Sequence, residues 1–252
     1  MNVELQNVTK SYGDEVVLRE ISLSFSKGQI VALLGRNGAG KTTLINSMMD
    51  FISIDSGTIQ FDGQVMDENP EEIKNHIGLL SEDNPLINEF NGKTYLEWSA
   101  RLYRLDHELA QQRYQSLTEV LFEDDEVLDK PISQYSTGMK KKLSLISCLI
   151  HKPSLLILDE PFSGLDPLAA NQIVDLLKKY SSDRRTIFIT SHDLTYVQQA
   201  ATHIAVLDRQ AIRFSGTKKA FTKEGRDRLD DALVELLQPE EQNLESVDWL
   251  ES

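Results

Sequence analysis

Apolar and polar positions change their spacing several times along the chain, and each change predicts an element. Val3 to Val8 alternates as a half-buried strand does, and Lys10-Ser-Tyr-Gly-Asp14 reads as the turn that ends it. Val16 to Leu18 and Ile21 to Phe25 predict further strands, with Lys27-Gly28 turning into the unbroken apolar run Ile30 to Leu34. A glycine-rich loop follows, then a helical pattern over Thr43 to Met49. Gly57 to Met66 reads as a hairpin with Asp62-Gly63 at its turn. His76 to Leu80 is a short apolar run ending in the polar segment Ser81 to Pro85. From Thr94 to about Leu128 the spacing is helical. Tyr95, Leu96, Trp98, Leu102 and Tyr103 crowd one part, and Leu117, Val120 and Leu121 another. Aromatic residues at that spacing read as core, the alternative being a docking surface for another protein.

The second half has a plainer rhythm. An apolar helix over Leu143 to Ile150 stops at Lys152-Pro153, and Leu155 to Leu158 predicts a buried strand. Leu168 to Tyr180 reads as helix, and Thr186 to Thr190 and Ile204 to Leu207 as strands, the last opened by a structural His203. Arg226 to Leu237 is helical. Pro239 to Ser252 then carries five acids and no Lys or Arg, a frayed acidic tail in which Trp249-Leu250 hints at a docking contact. Strands alternating with helices make this an α/β chain, with an antiparallel layer added in its first third.

The candidate chemistry sits where apolar strands end. Gly35-Arg-Asn-Gly-Ala-Gly-Lys-Thr42 lies between a predicted strand and a predicted helix, the context of a phosphate-binding loop. Gly35, Gly38 and Gly40, with Asn37 and Ala39 between them, let backbone N–H groups converge on an anion at the start of the helix that Thr43 continues. Lys41 can then reach the β- and γ-phosphates and the Thr42 hydroxyl can bind Mg²⁺. Asp159 ends the strand from Leu155, where parallel sheets place ligands, and is suited to the same Mg²⁺. Glu160 beside it is placed to polarise an attacking water, and His192, just past the strand ending at Thr190, to reach the γ-phosphate. Ser136 to Gly138 begin a helix and offer either a second anion-binding end or an ordinary serine cap. Tyr12 is either an exposed turn residue or a face on which adenine stacks. Lys140 to Lys142 read as a solvated helix face, and Cys148 as a small core residue.

Composition narrows the classes. The chain has 252 residues, 40% hydrophobic content and a formal charge of −14, which disfavours nonspecific binding to nucleic acid or anionic lipid. One cysteine leaves no internal disulfide and suits a reducing compartment. No apolar run approaches ~20 residues and the first residues lack a signal-peptide pattern, so a soluble protein that meets membranes through a partner is expected.

Taken together, Val3 to Gly216 resembles the ATP-binding subunit of an ABC transporter. Gly35–Thr42 matches the Walker A motif, Leu155–Asp159 the Walker B motif, Glu160 the catalytic glutamate, Ser163-Gly-Leu-Asp166 the D-loop and His192 the switch histidine. Tyr12 falls on the adenine-stacking A-loop position. The resemblance implies a RecA-like P-loop NTPase fold with a mostly parallel sheet, an antiparallel β subdomain and an inserted helical subdomain. It divides the chain into a core of residues 1–84 and 151–216, a helical part of 85–150, and a C-terminal helix and tail of 217–252.

Two positions depart from the family pattern. The signature usually reads Leu-Ser-Gly-Gly-Gln and here is Tyr135-Ser-Thr-Gly-Met139, which keeps Ser136 and Gly138 for the phosphate contact. Glu82 replaces the Q-loop glutamine; it could still approach Mg²⁺ or the attacking water, but adds negative charge beside the γ-phosphate. The resemblance further implies ATP and Mg²⁺ as cofactors, a separate transmembrane permease subunit as partner, and a homodimer or heterodimer of ATP-binding subunits. It implies a place on the cytoplasmic face of a membrane, and exporter rather than importer duty. A soluble ABC ATPase acting on the ribosome or nucleic acid is the alternative, disfavoured by the single cassette and acidic charge. A regulator that barely hydrolyses ATP is disfavoured by the retention of both Asp159 and Glu160.

Overall fold

The computed structural model describes residues 1–237, apart from Asn84, Glu123 and Asp183. The acidic segment Pro239 to Ser252, with Trp249-Leu250, lies outside the described residues. The chain opens with strands β1 (Val3–Tyr12), β2 (Glu15–Phe25) and β3 (Ile30–Leu34), and helix α1 (Lys41–Met48). The hairpin β4 (Ser56–Phe61) and β5 (Gln64–Val65), helix α2 (Pro70–Asn75) and strand β6 (Ile77–Leu80) follow. Three helices come next: α3 (Gly92–Leu102), α4 (His107–Leu121) and α5 (Thr137–Leu149). Strand and helix then alternate through β7 (Leu155–Asp159), α6 (Pro167–Tyr180), β8 (Thr186–Thr190) and α7 (Leu194–Ala200). The chain continues with β9 (His203–Asp208), β10 (Ala211–Thr217), α8 (Lys218–Phe221) and α9 (Leu229–Leu237).

Two sheets result. One is antiparallel, in the order β2-β1-β4-β5, and the other runs β10-β9-β3-β8-β7-β6. In the second, β6, β7, β8, β3 and β9 pair in parallel and β10 returns antiparallel to β9. This is the fold of a P-loop NTPase with an added antiparallel layer. The two runs expected as separate strands over Val16–Leu18 and Ile21–Phe25 form one strand. Glu20 takes φ 49° between them, and the register with β1 shifts there, so a bulge rather than a break separates the runs.

The period of two explains how one sheet feeds several cores. Val31, Leu33, Leu155, Ile157, Phe188, Ala205 and Leu207 face the antiparallel layer and α1, where Phe25 stacks on Phe188 with centroids 5.1 Å apart. Leu156, Leu158, Ile187 and Ile189 face the other way, into a cluster with Ile173, Val174 and Leu177 of α6 and the helices α3 to α5. Ala32, Leu34, Ile204 and Val206 pack with Val197, Phe221 and Leu229 at the far end of the sheet. With both faces covered, the β3, β7 and β8 strands are buried along their whole length.

The helical stretch divides its aromatics. Tyr95, Leu96, Tyr114 and Leu121 are buried in it, whereas Trp98, Leu102 and Val120 are exposed. The lysine run is not a solvated face: Lys141 is buried, and Lys140 and Lys142 are partly covered. Lys142 lies over the Phe122 ring at 5.5 Å and Lys140 reaches Asn88 Oδ1 at 3.4 Å. A period of 3.6 turns the middle lysine of three toward the sheet, where the run's composition suggested water. Cys148 is buried, its Sγ donating to the Leu79 carbonyl, and burial pushes its thiol up to about 12.

Candidate nucleotide site

The site grows from the ends of three neighbouring parallel strands. β3 delivers the loop Gly35–Gly40, β7 delivers Asp159 and Glu160, and β8 delivers Thr190 and, two residues on, His192. Because β7, β8 and β3 are adjacent and share direction, all three deliver their chemistry to one edge. That edge lies over a cavity of about 490 Å³ lined by Val17, Asn37, Gly38, Gly40, Lys41, Thr42, Thr43, Glu82, Asp159, Glu160 and His192.

The loop's shape depends on two glycines. Gly40 takes φ 102° as the cap residue of α1, and a Cβ there would press on Val17 and Leu18. At Gly35 a Cβ would run into the Leu207 carbonyl of β9. Lys41 is 9% exposed, and its Nζ donates to the carbonyls of Gly35 at 2.9 Å and Arg36 at 3.2 Å. Those bonds use two of the ammonium's three donors and draw the loop around it. The backbone also bends through Ala39, whose N–H donates to the Arg36 carbonyl.

Across the cavity, the Thr42 hydroxyl donates to Asp159 Oδ2 at 3.1 Å. Asp159 is 2% exposed, and its other oxygen accepts from the Thr190 hydroxyl. Residues far apart in sequence thus bring two side-chain oxygens side by side. Glu160 has φ 50°, in the left-handed region that a non-glycine residue holds only when its surroundings fix it. The fixing is visible. Its N–H donates to the Thr190 carbonyl and hydroxyl, and its carbonyl accepts from Lys141 Nζ at 2.7 Å. Its Oε2 accepts the His192 backbone N–H at 3.3 Å and lies 2.9 Å from His192 Nδ1. The His192 ring itself is mostly exposed.

Gly35 and Ala39 belong to the loop without lining the cavity, and Ser136, Gly138 and Tyr12 stand apart from it. Ser136 caps α5 through a hydroxyl that accepts the Met139 N–H at 3.2 Å, so the serine-cap reading holds in the free chain. Thr137 and Gly138 form the helix's first turn, where backbone N–H groups lack intrahelical acceptors. Neither Ser136 nor Gly138 is among the described residues lining the cavity. Nor is Tyr12, which is 52% exposed at the end of β1 with Lys10 Nζ 5.3 Å from its ring centre. Tyr135 is buried, its hydroxyl donating to the Val127 carbonyl at 2.6 Å, and burial pushes its phenol up to about 12. The altered first residue of the signature is therefore an anchor for the start of α5. His203 sits between Gln29 Nε2 and Thr202, away from the cavity.

Sequence reasoning missed Thr190, Lys141 and Val17. Thr190 carries a usable signal, a hydroxyl closing an apolar strand next to the one that ends in Asp159. Lys141 and Val17 carry none, since only tertiary packing brings them to the strand ends.

A buried strand, a glycine loop and an acid-tipped parallel strand two places away around one cavity define a nucleotide-binding P-loop protein. Residues 18–163 match the ABC transporter family. The linearmycin resistance ATP-binding protein LnrL of Bacillus subtilis (strain 168) is 32% identical over 216 residues, 86% of this chain and 69% of that protein. The bacitracin transport ATP-binding protein BcrA of Enterococcus faecalis is 36% identical over 206 residues, 81% of this chain and 66% of that protein. A solved structure of the ATP-binding subunit of an ABC transporter superposes with a TM-score of 0.86 at 26% identity, covering 94% of this chain and 99% of that one. The chain belongs to the ABC transporter family, and it is an ATP-hydrolysing member. It spans about two thirds of the length of these two curated relatives.

Proposed function

We propose that the chain is the motor subunit of an export transporter, dimerising on ATP and driving a separate transmembrane permease. The observation that carries this reading is the single cavity shared by the phosphate loop, Asp159, Glu160 and His192. In it the N–H groups of the loop and Lys41 would hold the phosphates of ATP. Glu160 would order the attacking water and accept its proton, with His192 Nδ1 steadying the carboxylate at 2.9 Å. Asn37, Gly38, Ala39, Gly40, Thr42 and Thr43 complete the phosphate cradle.

The adjacent oxygens of Thr42 and Asp159 fit Mg²⁺, which favours one or two carboxylates plus phosphate oxygens over an all-protein cage. Glu82, on the same cavity, is a further candidate oxygen ligand. The metal, when bound, would supply neutralisation of phosphate charge.

Ser136 and Gly138 would act on the ATP of a second subunit, identical or not, because they lie outside this chain's own cavity. The exposed Trp98 and Leu102 of the helical part, residues 85–150, would receive the permease at the cytoplasmic face of the membrane. No helix among the described residues is long and apolar enough to cross a membrane, which agrees with a permease on another chain. Export is favoured by the name of one relative, a resistance protein.

The test is Glu160→Gln. ATP binding should persist, an ATP-stabilised dimer should accumulate, and turnover should fall by roughly 10²–10⁴-fold, the usual worth of a general base. Near-normal turnover in that variant would remove Glu160 from its role.

A further inference from the structure

We propose that Lys141 is a positioning residue for ATP hydrolysis, pinning the backbone of Glu160 and offsetting the additional negative charge that Glu82 brings to the site. The inference rests on Glu160 acting as the general base. Lys141 stands one helical turn into α5, the same helix whose first turn carries Ser136 and Gly138. It is 8% exposed, and its Nζ donates at 2.7 Å to the Glu160 carbonyl. That carbonyl belongs to a residue held at φ 50°, so the ammonium secures a backbone conformation that glutamate does not adopt unaided. Burial draws the Lys141 ammonium below the usual lysine range, while Glu160, Glu82 and Asp159 oppose that shift. Glu82, Asp159 and Glu160 line one cavity, and Lys141 Nζ lies 2.7 Å from the carbonyl of one of them, so losing the cation leaves the acids with less compensation.

The geometry also sets what Lys141 can transmit. One end of α5 presents the surface proposed to meet a second subunit's nucleotide, and a turn later the same helix grips the general base. A displacement of α5 would therefore reach the Glu160 carbonyl through the Lys141 side chain alone. Lys141 does not line the cavity, so it has no direct part in holding ATP.

The experiment is a kinetic cycle on the full chain, with its membrane partner where one is co-purified. It compares wild type, Lys141→Met, Lys141→Gln, Glu82→Gln and the double variant Glu82→Gln/Lys141→Gln, with Glu160→Gln as control. The Met variant should lose roughly ten- to a hundredfold in kcat, the worth of one hydrogen bond to a charged group, with the Kd for ATP within about twofold. The Gln variant, which keeps a donor but no charge, should lose less. Removing the Glu82 charge should cost less kcat in the Lys141→Gln background than in wild type, a coupling read directly from the cycle.

If the Met variant fails to fold, the Gln pair carries the test, with ATP binding and the melting temperature as folding controls. Wild-type kcat in the Lys141 variants, a Kd that rises in step with the lost kcat, or an additive double variant would each overturn the proposal. An active Glu160→Gln control would instead overturn the underlying assignment of the base, whatever the Lys141 variants do.

Discussion

The phosphate-loop end and the signature end of the molecule both point backbone N–H groups outward from the start of a helix, yet they differ in what surrounds them. At the start of α1, three strand ends, a buried lysine and a tethered carboxylate pair close around a cavity. At the start of α5 the Ser136 hydroxyl is engaged in its own cap, the first turn is exposed or partly covered, and no acid or strand end of the site joins it. The first has the form of a binding site, and the second is proposed to be half of one. A protein that built only the first would bind nucleotide with no way to report it. On the proposed reading, carrying both on one chain would let two chains complete each other's sites, and ATP occupancy would become an association event.

The largest break in that comparison is Lys41→Ala. It removes the cation that draws the loop together and is proposed to meet the phosphates, so ATP affinity should fall by roughly tenfold to a hundredfold, measured by calorimetric titration. A change under twofold would mean that the loop amides alone hold the nucleotide.

The next variant sharpens the comparison from the other side. Gly138→Asp puts a carboxylate where a second subunit's γ-phosphate is proposed to sit. The Cβ itself is tolerated, with Leu165 Cδ2 at 3.4 Å and the Gly164 carbonyl at 3.8 Å. Affinity for ATP should stay within about twofold, while turnover and ATP-driven dimerisation fall by about tenfold through like-charge repulsion. Mixing the Lys41→Ala and Gly138→Asp chains should restore activity, because each mixed dimer then holds one intact composite site. Absence of recovery on mixing would point to a different chain as the completing subunit.

The same contrast shows what sequence could reveal. Elements whose chemistry is local were legible: an apolar run, a loop of three glycines and a helix are contiguous from Ile30 to Met48. The strands ending at Asp159 and Thr190 were legible because burial on both faces leaves an unbroken apolar signature. What escaped depends on long-range packing. Lys141 looked like one of three solvated lysines until α5 turned it under Glu160, and Val17 reached the cavity only through the bulged β2 strand. β10 was invisible as a strand. Ala211 to Thr217 lies at the sheet edge with its side chains half exposed, so it has neither the apolar run nor the clean alternation that marks the others.

The smallest expected effect concerns Tyr12, whose position fits neither end. It lies outside the described cavity lining, about half exposed, beyond the loop proposed to hold the phosphates. If its ring carries the adenine, Tyr12→Ala should weaken ATP binding by about 1 kcal/mol, roughly fivefold, the low end for a base stacked on an aromatic face. Tyr12→Phe should bind as wild type does, because the stack needs the ring and not the hydroxyl. Lys10 adds a discriminating control. Its Nζ is 5.3 Å from the ring centre and 3.5 Å from Asp55 Oδ1, so it braces the tyrosine without touching the phosphate site. Lys10→Met should then produce a weaker loss of the same kind as Tyr12→Ala, in Kd and not in kcat. Wild-type affinity in Tyr12→Ala would leave this ring as an exposed turn residue and confine nucleotide recognition to the phosphates.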